Sequence, residues 1–183
     1  MKVSHCTPWP EKLAEQYRAE GYWRGETFSE VLAQRVAQYG ERTAVVSDTQ
    51  RWTYQDLGQE VTRLARGFAA LGIAPQDRVV VQLPNCAEFL AVIFALFRLG
   101  ALPVFALPQH RRFEINHFVA HTEAVAYIVA DMHAGFDYRA LAREVQAASL
   151  KHVLVLGDAA EFIALATLPE SDAELDADLP TPP

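Results

Sequence analysis

Apolar positions in this chain recur first at helical spacing and then, beyond residue 77, as short unbroken runs. Thr27-Phe28-Ser29-Glu30 fits a capping box, in which a hydroxyl and a carboxylate each satisfy a free amide at a helix start. Phe28, Val31, Leu32, Val36 and Tyr39 then share one helical face, and Gly40 is expected to stop the helix. Residues 43–47 and 51–54 predict two short strands around a polar turn. Leu57, Val61, Leu64, Ala65, Phe68 and Leu71 form an apolar stripe, with Gln59, Thr62, Arg63 and Arg66 opposite, and Gly72 ends this second helix.

The pattern then becomes regular. Strands are predicted at 78–83, 102–107, 125–130 and 152–156, with helices at 87–99, 111–122 and 138–148 between them. The strands are apolar without alternation, as in a parallel sheet covered on both faces. The fold class expected is therefore α/β, a layered, mostly parallel sheet with helices on both faces, doubly wound if its crossovers are right-handed. The 87–99 helix is apolar nearly all round, which places Phe94 in the core.

Composition changes the picture only at the end of the chain. The 183 residues are 51% apolar and 21% charged, which excludes a disordered or fibrous protein. Of the net charge of −7, five acids lie within residues 170–178, and no Lys or Arg occurs in 168–183. The remainder carries 16 bases against 18 acids, so it is nearly neutral and offers nucleic acid no basic stripe. Residues 1–167 thus read as one α/β unit. Residues 168–183, acidic and proline-rich, read as a connector, which implies that the natural chain continues. The nine-residue apolar run at 89–97 is half a membrane span, and residues 1–8 lack the apolar core of a signal peptide. Cys6 and Cys86 fit no metal or redox spacing, so a cytoplasmic protein with reduced thiols is expected, with no membrane partner.

Candidate chemistry is sparse. Ligands of open parallel sheets sit beyond the carboxyl ends of the strands. Those ends carry Asn85, then Gln109, His110 and Arg111, then Asp131 and His133, then Asp158. They form either a ligand-binding rim or ordinary polar turns. His117 and His121 share a helical face with Glu114, a spacing that suits zinc. Ile115, Phe118, Val119 and Thr122 take the other face, which leaves the histidines in solvent without a fourth ligand, so no specific zinc site is expected. His110-Arg111-Arg112 stands at a helix start, where an anion or plain solvent would suit it. No Gly-x-Gly, no Gly-x-x-x-x-Gly-Lys and no Gly-x-Ser-x-Gly occurs. No residue is assigned as catalytic, cofactor-binding or metal-ligating.

Trp52-Thr53-Tyr54-Gln55-Asp56-Leu57 resembles the first core motif of the adenylate-forming enzymes, and residues 96–104, Leu-Phe-Arg-Leu-Gly-Ala-Leu-Pro-Val, resemble the second. Phe105-Ala106-Leu107-Pro108-Gln109-His110-Arg111 looks like their aryl-acid branch. So do Thr7-Pro8-Trp9-Pro10-Glu11, Tyr17-Arg18 and Gly21-Tyr22-Trp23. Together they resemble the N-terminal portion of the 2,3-dihydroxybenzoate–AMP ligases of siderophore biosynthesis, with salicylate–AMP ligases as near relatives. The resemblance implies an enzyme that adenylates an aryl carboxylic acid with ATP and Mg²⁺, then passes it to the phosphopantetheine thiol of an aryl carrier protein. It also implies that the ATP-binding residues lie downstream, in a missing remainder of the chain. This segment would then be a scaffold, inactive alone. A general acyl-CoA ligase fragment and a non-catalytic α/β binding module remain as alternatives.

Overall fold

The computed structural model describes residues 7–145 and 147–168; Cys6 and all but the first residue of the predicted connector lie outside them. Helix α1 (Glu11–Ala19) precedes α2 (Phe28–Tyr39), whose N-terminus carries the expected capping box: the Glu30 carboxylate accepts the Thr27 amide, and the Glu30 amide donates to the Thr27 hydroxyl. Gly40 follows α2 in a right-handed conformation, so it does not stop the helix by a left-handed turn; the chain leaves through the Arg42 amide, which donates to the Tyr39 carbonyl. β1 (Thr43–Val46) and β2 (Arg51–Thr53) form an antiparallel hairpin separate from the main sheet, and it packs on α3 (Tyr54–Ala70). Thr53 ends β2 and caps α3 through a second capping box with Asp56. Trp52 and Tyr54 lie partly buried against the core, so the first core motif is a joint between strand and helix.

The main sheet has five parallel strands in the order β4-β3-β5-β8-β9: β3 (Arg78–Gln82), β4 (Leu102–Phe105), β5 (Ala126–Ala130), β8 (His152–Leu156) and β9 (Ile163–Ala164). Alternate strand residues serve opposite faces. Val79, Val81, Ile128 and Leu154 meet α3 and α4 (Ala87–Leu99) in one core. Val80, Tyr127, Val129 and Val155 meet α5 (Arg112–Thr122) and α6 (Tyr138–Glu144) in the other. Both faces being covered explains strands that are apolar without alternation.

The second core motif runs from α4 into β4. Gly100 closes α4 at φ 74°, a left-handed conformation open to glycine, and the Ala101 amide then returns to the Leu96 carbonyl. The Leu102 amide donates to the Asp77 carbonyl just before β3, and the Ala106 amide just after β4 donates to the Val81 carbonyl, so the alternation turns the nitrogen of Pro103 away from β3. A residue without an N–H thus occupies a strand position where β3 needs no donor.

The sequence expectation contains neither α1 nor β9, its 102–107 strand ends at Phe105, and three further elements differ from it. Between β5 and α6 lies a small hairpin, β6 (Met132–His133) and β7 (Phe136–Asp137), turned by Ala134 and Gly135, both at positive φ. The predicted 138–148 helix stops at Glu144, because Val145 turns extended and enters the second core. Burial of this β-branched side chain outweighs the helix propensity of the alanines around it. In α4, Ala91, Val92, Ala95 and Leu96 are fully buried, but Phe94 is half-buried and meets Phe97 edge-on. The expectation that Phe94 lies in the core is therefore corrected: α4 is packed on its sheet and α3 sides and only partly covered beyond them.

Burial of Leu96 is complete and that of Phe94 is not, so Leu96→Ala is expected to cost about 2–5 kcal/mol and Phe94→Ala distinctly less. Urea denaturation of both variants checks this ranking; an equal or larger loss for Phe94→Ala contradicts it.

Candidate functional site

The carboxyl ends of β3 and β5 adjoin at the point where the chain turns from building the sheet on one side to building it on the other. Such a switch point is where open α/β sheets bind ligands. Gln82, the last residue of β3, is the one buried polar residue among those described, at 1% exposure. Its amide nitrogen donates to the Leu107 carbonyl at 2.8 Å and to the His110 carbonyl at 3.0 Å. Its amide oxygen accepts the Tyr127 hydroxyl from β5. One side chain thus joins β3, β5 and the β4–α5 loop, and burial pushes the Tyr127 phenol well above its ordinary pKa.

The loop is tied down further along its length. The Leu107 amide donates to His110 Nδ1 at 3.1 Å, and the Tyr138 hydroxyl donates to the Pro108 carbonyl at 2.9 Å. Arg111 donates to the Pro108 and His110 carbonyls at 2.6 and 2.8 Å and lies 3.9 Å from the Phe136 ring centroid. The Glu114 carboxylate takes the Arg111 amide, so the start of α5 is already capped by an acid and is no open anion site. This hydrogen bond holds Glu114 below the usual carboxylate range.

The second half of the rim is equally self-contained. Asp131 accepts the Met132 and Asp158 amides at 2.5 and 2.9 Å. A Cβ on Gly157 would lie 2.4 Å from the same carboxylate, so the two loops meet there through glycine. Asp158 pairs with Arg139 at 2.8 Å, and Arg139 also holds Asp137, which caps α6. Asn85, Gln109 and His133 stand exposed. Of the rim residues named from sequence, His110 and Arg111 lie together in one loop, and Asp131 and Asp158 are brought together from the loops after β5 and β8. Their polar groups are spent on turns and caps, the ordinary role of such residues.

His117 and His121 are exposed and stack face to face, with centroids 5.3 Å apart. Among the described residues no three His, Cys, Asp or Glu side chains group as a metal site. Cys86 is half-buried, and burial raises its thiol to about 11, far from a reactive thiolate. The start of the chain packs its aromatic residues around α1: Trp9, Tyr17 and Trp23 meet at 5.6–6.2 Å, with Arg18 over Trp23. Gln82, Tyr127 and Tyr138 were not legible as functional positions. The available signal was a polar residue closing an otherwise apolar buried strand, because a buried amide must find partners.

Residues 32–183 match the AMP-binding enzyme family. The chain is 56% identical to the 2,3-dihydroxybenzoate-AMP ligase of Bacillus subtilis over 164 residues, 88% of this chain and 30% of that protein. It is 43% identical to the salicyl-AMP ligase / salicyl-S-ArCP synthetase of Mycobacterium tuberculosis, again over 88% of this chain and 30% of that protein. Among solved structures, apo MbtA of Mycobacterium smegmatis superposes with a TM-score of 0.83 at 44% identity, covering 97% of this chain and 32% of that one. The chain spans about a third of the length of these relatives.

Gln82→Leu leaves the buried Tyr127 phenol without its acceptor, a cost of about 1–3 kcal/mol, and takes one of two donors from each of the Leu107 and His110 carbonyls. The variant is expected to unfold at lower urea and to exchange the Leu107 and His110 amides faster, with part of the loss recovered in Gln82→Leu/Tyr127→Phe. Unchanged exchange in the loop contradicts the role given to Gln82.

Arg143 clasps the Glu161 carboxylate at 2.6 and 2.9 Å and lowers its pKa from 4.5 to about 2. A depressed carboxylate pKa stabilises the fold above the unfolded value and loses that effect as pH falls through the folded value. The gap in thermal midpoint between the parent and Arg143→Ala should therefore be full at pH 5–6 and close as pH falls toward 2. A gap that is constant over that range contradicts the pairing.

Proposed function

The chain belongs to the AMP-binding enzyme family, and from that premise we propose that it is the N-terminal part of a cytoplasmic aryl-acid–AMP ligase of siderophore biosynthesis. Its substrate is 2,3-dihydroxybenzoate or the closely related salicylate. The observation that carries this reading is the 56% identity to the Bacillus ligase over 88% of the chain. In the first half-reaction an aryl carboxylate oxygen attacks the α-phosphorus of ATP. The bond to pyrophosphate breaks, leaving an aryl adenylate. In the second, the phosphopantetheine thiol of an aryl carrier protein attacks the acyl carbonyl and AMP departs.

This segment supplies the frame. In this reading the α/β body is assigned to residues 1–167 and a connecting role to 168–183, and the chain spans about a third of its relatives' length. Phe28, Leu102, Phe105 and Leu107 are exposed apolar side chains, which suits a body that packs against further protein. Mg²⁺ would accompany ATP and neutralise its phosphates. The described residues present no grouped carboxylates for it, so none of its chemistry is assigned to this chain. ATP, the aryl acid and the ion are then held mainly by residues outside these 183.

A chimera tests the assignment. Replacing the matching N-terminal segment of the Bacillus ligase with this chain is expected to retain 2,3-dihydroxybenzoate-dependent exchange of labelled pyrophosphate into ATP. The isolated chain is expected to show no exchange above a no-enzyme blank. A folded chimera without exchange, or exchange by the isolated chain, contradicts the reading.

A further inference from the structure

Over most of the described surface, arginine charge is matched by carboxylates. Arg24, Arg63, Arg78, Arg112, Arg139 and Arg143 each hold one. Arg66 of α3 and Arg98 of α4 depart from this: no carboxylate among the described residues pairs with either.

The two arginines share one spot. Arg98 donates through Nη1 to the Thr62 hydroxyl at 2.8 Å, across the packed seam of α3 and α4. That hydroxyl donates in turn to the Gly58 carbonyl at 2.8 Å, which sets its direction. Arg66 follows Thr62 by four residues, so the two lie on the same side of α3. A guanidinium from each helix therefore opens over the seam. Partial burial, and after it the charge of Arg66, lower the pKa of Arg98. Arg98 is half-buried and held by Thr62, and its Nε and Nη2 have no acceptor among the described residues. Arg66 is exposed, which leaves its side chain able to turn toward Arg98.

Charge and shape decide what such a pair takes. Two adjacent cations repel each other, and a single carboxylate cancels only one of them. A phosphoryl group is close to a dianion at neutral pH and offers three acceptor oxygens. Guanidinium forks match those oxygens with paired N–H bonds. At the start of α5 Glu114 already fills the place of an anion, whereas over the α3–α4 seam no described acid does.

We propose that Arg66 and Arg98, with Thr62 holding Arg98 in place, form a phosphate-binding site on the α3–α4 seam. Its ligand is a phosphoryl dianion, supplied by inorganic phosphate or by the terminal group of an organic phosphomonoester. The site does not depend on the ligase assignment.

Titration of the full chain with inorganic phosphate tests it, at pH 8 and constant ionic strength, with the arginine Nε–H signals followed by NMR. The Arg66 and Arg98 signals are expected to shift and saturate, while that of Arg143, already clasped by Glu161, stays in place. Arg66→Ala and Arg98→Lys should each weaken phosphate binding about tenfold, the loss of one charge-assisted hydrogen bond. Arg66 is exposed, so its removal reads binding rather than folding. Phenyl phosphate separates the two sources, because half-buried Phe94 lies one turn before Arg98 on α4. Tighter binding than inorganic phosphate assigns an organic monoester; equal or weaker binding assigns the free ion. Shifts that never saturate, that acetate reproduces, or that persist unchanged in Arg66→Ala overturn the proposal.

Discussion

The carboxyl edge of the sheet depends on one buried amide. Gln82 sits where β3 and β5 adjoin, a place that cannot be left polar and empty because an unpaired buried amide is costly. Its partners are a β5 phenol and two loop carbonyls. Satisfying them fixes the β4–α5 loop, and the fixed loop places Arg111 over Phe136 and the cap on α5. The order at this edge thus runs from the interior outward. The polar side chains on the rim answer needs set by the fold beneath them.

The same logic separates frame from chemistry. A catalytic or ligand-binding edge holds groups whose hydrogen-bonding capacity is free for substrate. Here Asp131, Asp158, Arg139 and Arg111 are spent on backbone amides, carbonyls and each other. In a family whose relatives are about three times longer than this chain, such an edge is consistent with a body that supports a site formed elsewhere. The two core motifs act likewise. Thr53 and Asp56 start a helix, and Gly100 ends one where the backbone must turn left-handed.

Much of the fold was legible because parallel sheets leave a coarse mark. Runs such as Val79-Val80-Val81 have no alternation, and only burial on both faces explains that. The capping box at Thr27 was equally plain, whereas the one at Thr53 was hidden by the strand that leads into it. Two-residue strands have no period to detect, so the β6–β7 hairpin left only the glycine of its turn as a sign. The alanines after Arg139 favour helix locally, yet Val145 is drawn into the second core, a tertiary preference that local pattern does not carry. At the candidate site, sequence named the rim residues but not their partners. Pairings such as Asp131 with the Asp158 amide depend on which strands lie side by side, and strand order is a property of the sheet rather than of any segment.

The central claim is that this chain frames an adenylating site without holding its ligands. Titration of the chain with a non-hydrolysable 2,3-dihydroxybenzoyl-adenylate analogue, followed by calorimetry, tests that most directly. The account predicts no saturable heat up to millimolar analogue. Stoichiometric binding at micromolar concentration would contradict it and would place part of the ligand-binding machinery on these 183 residues.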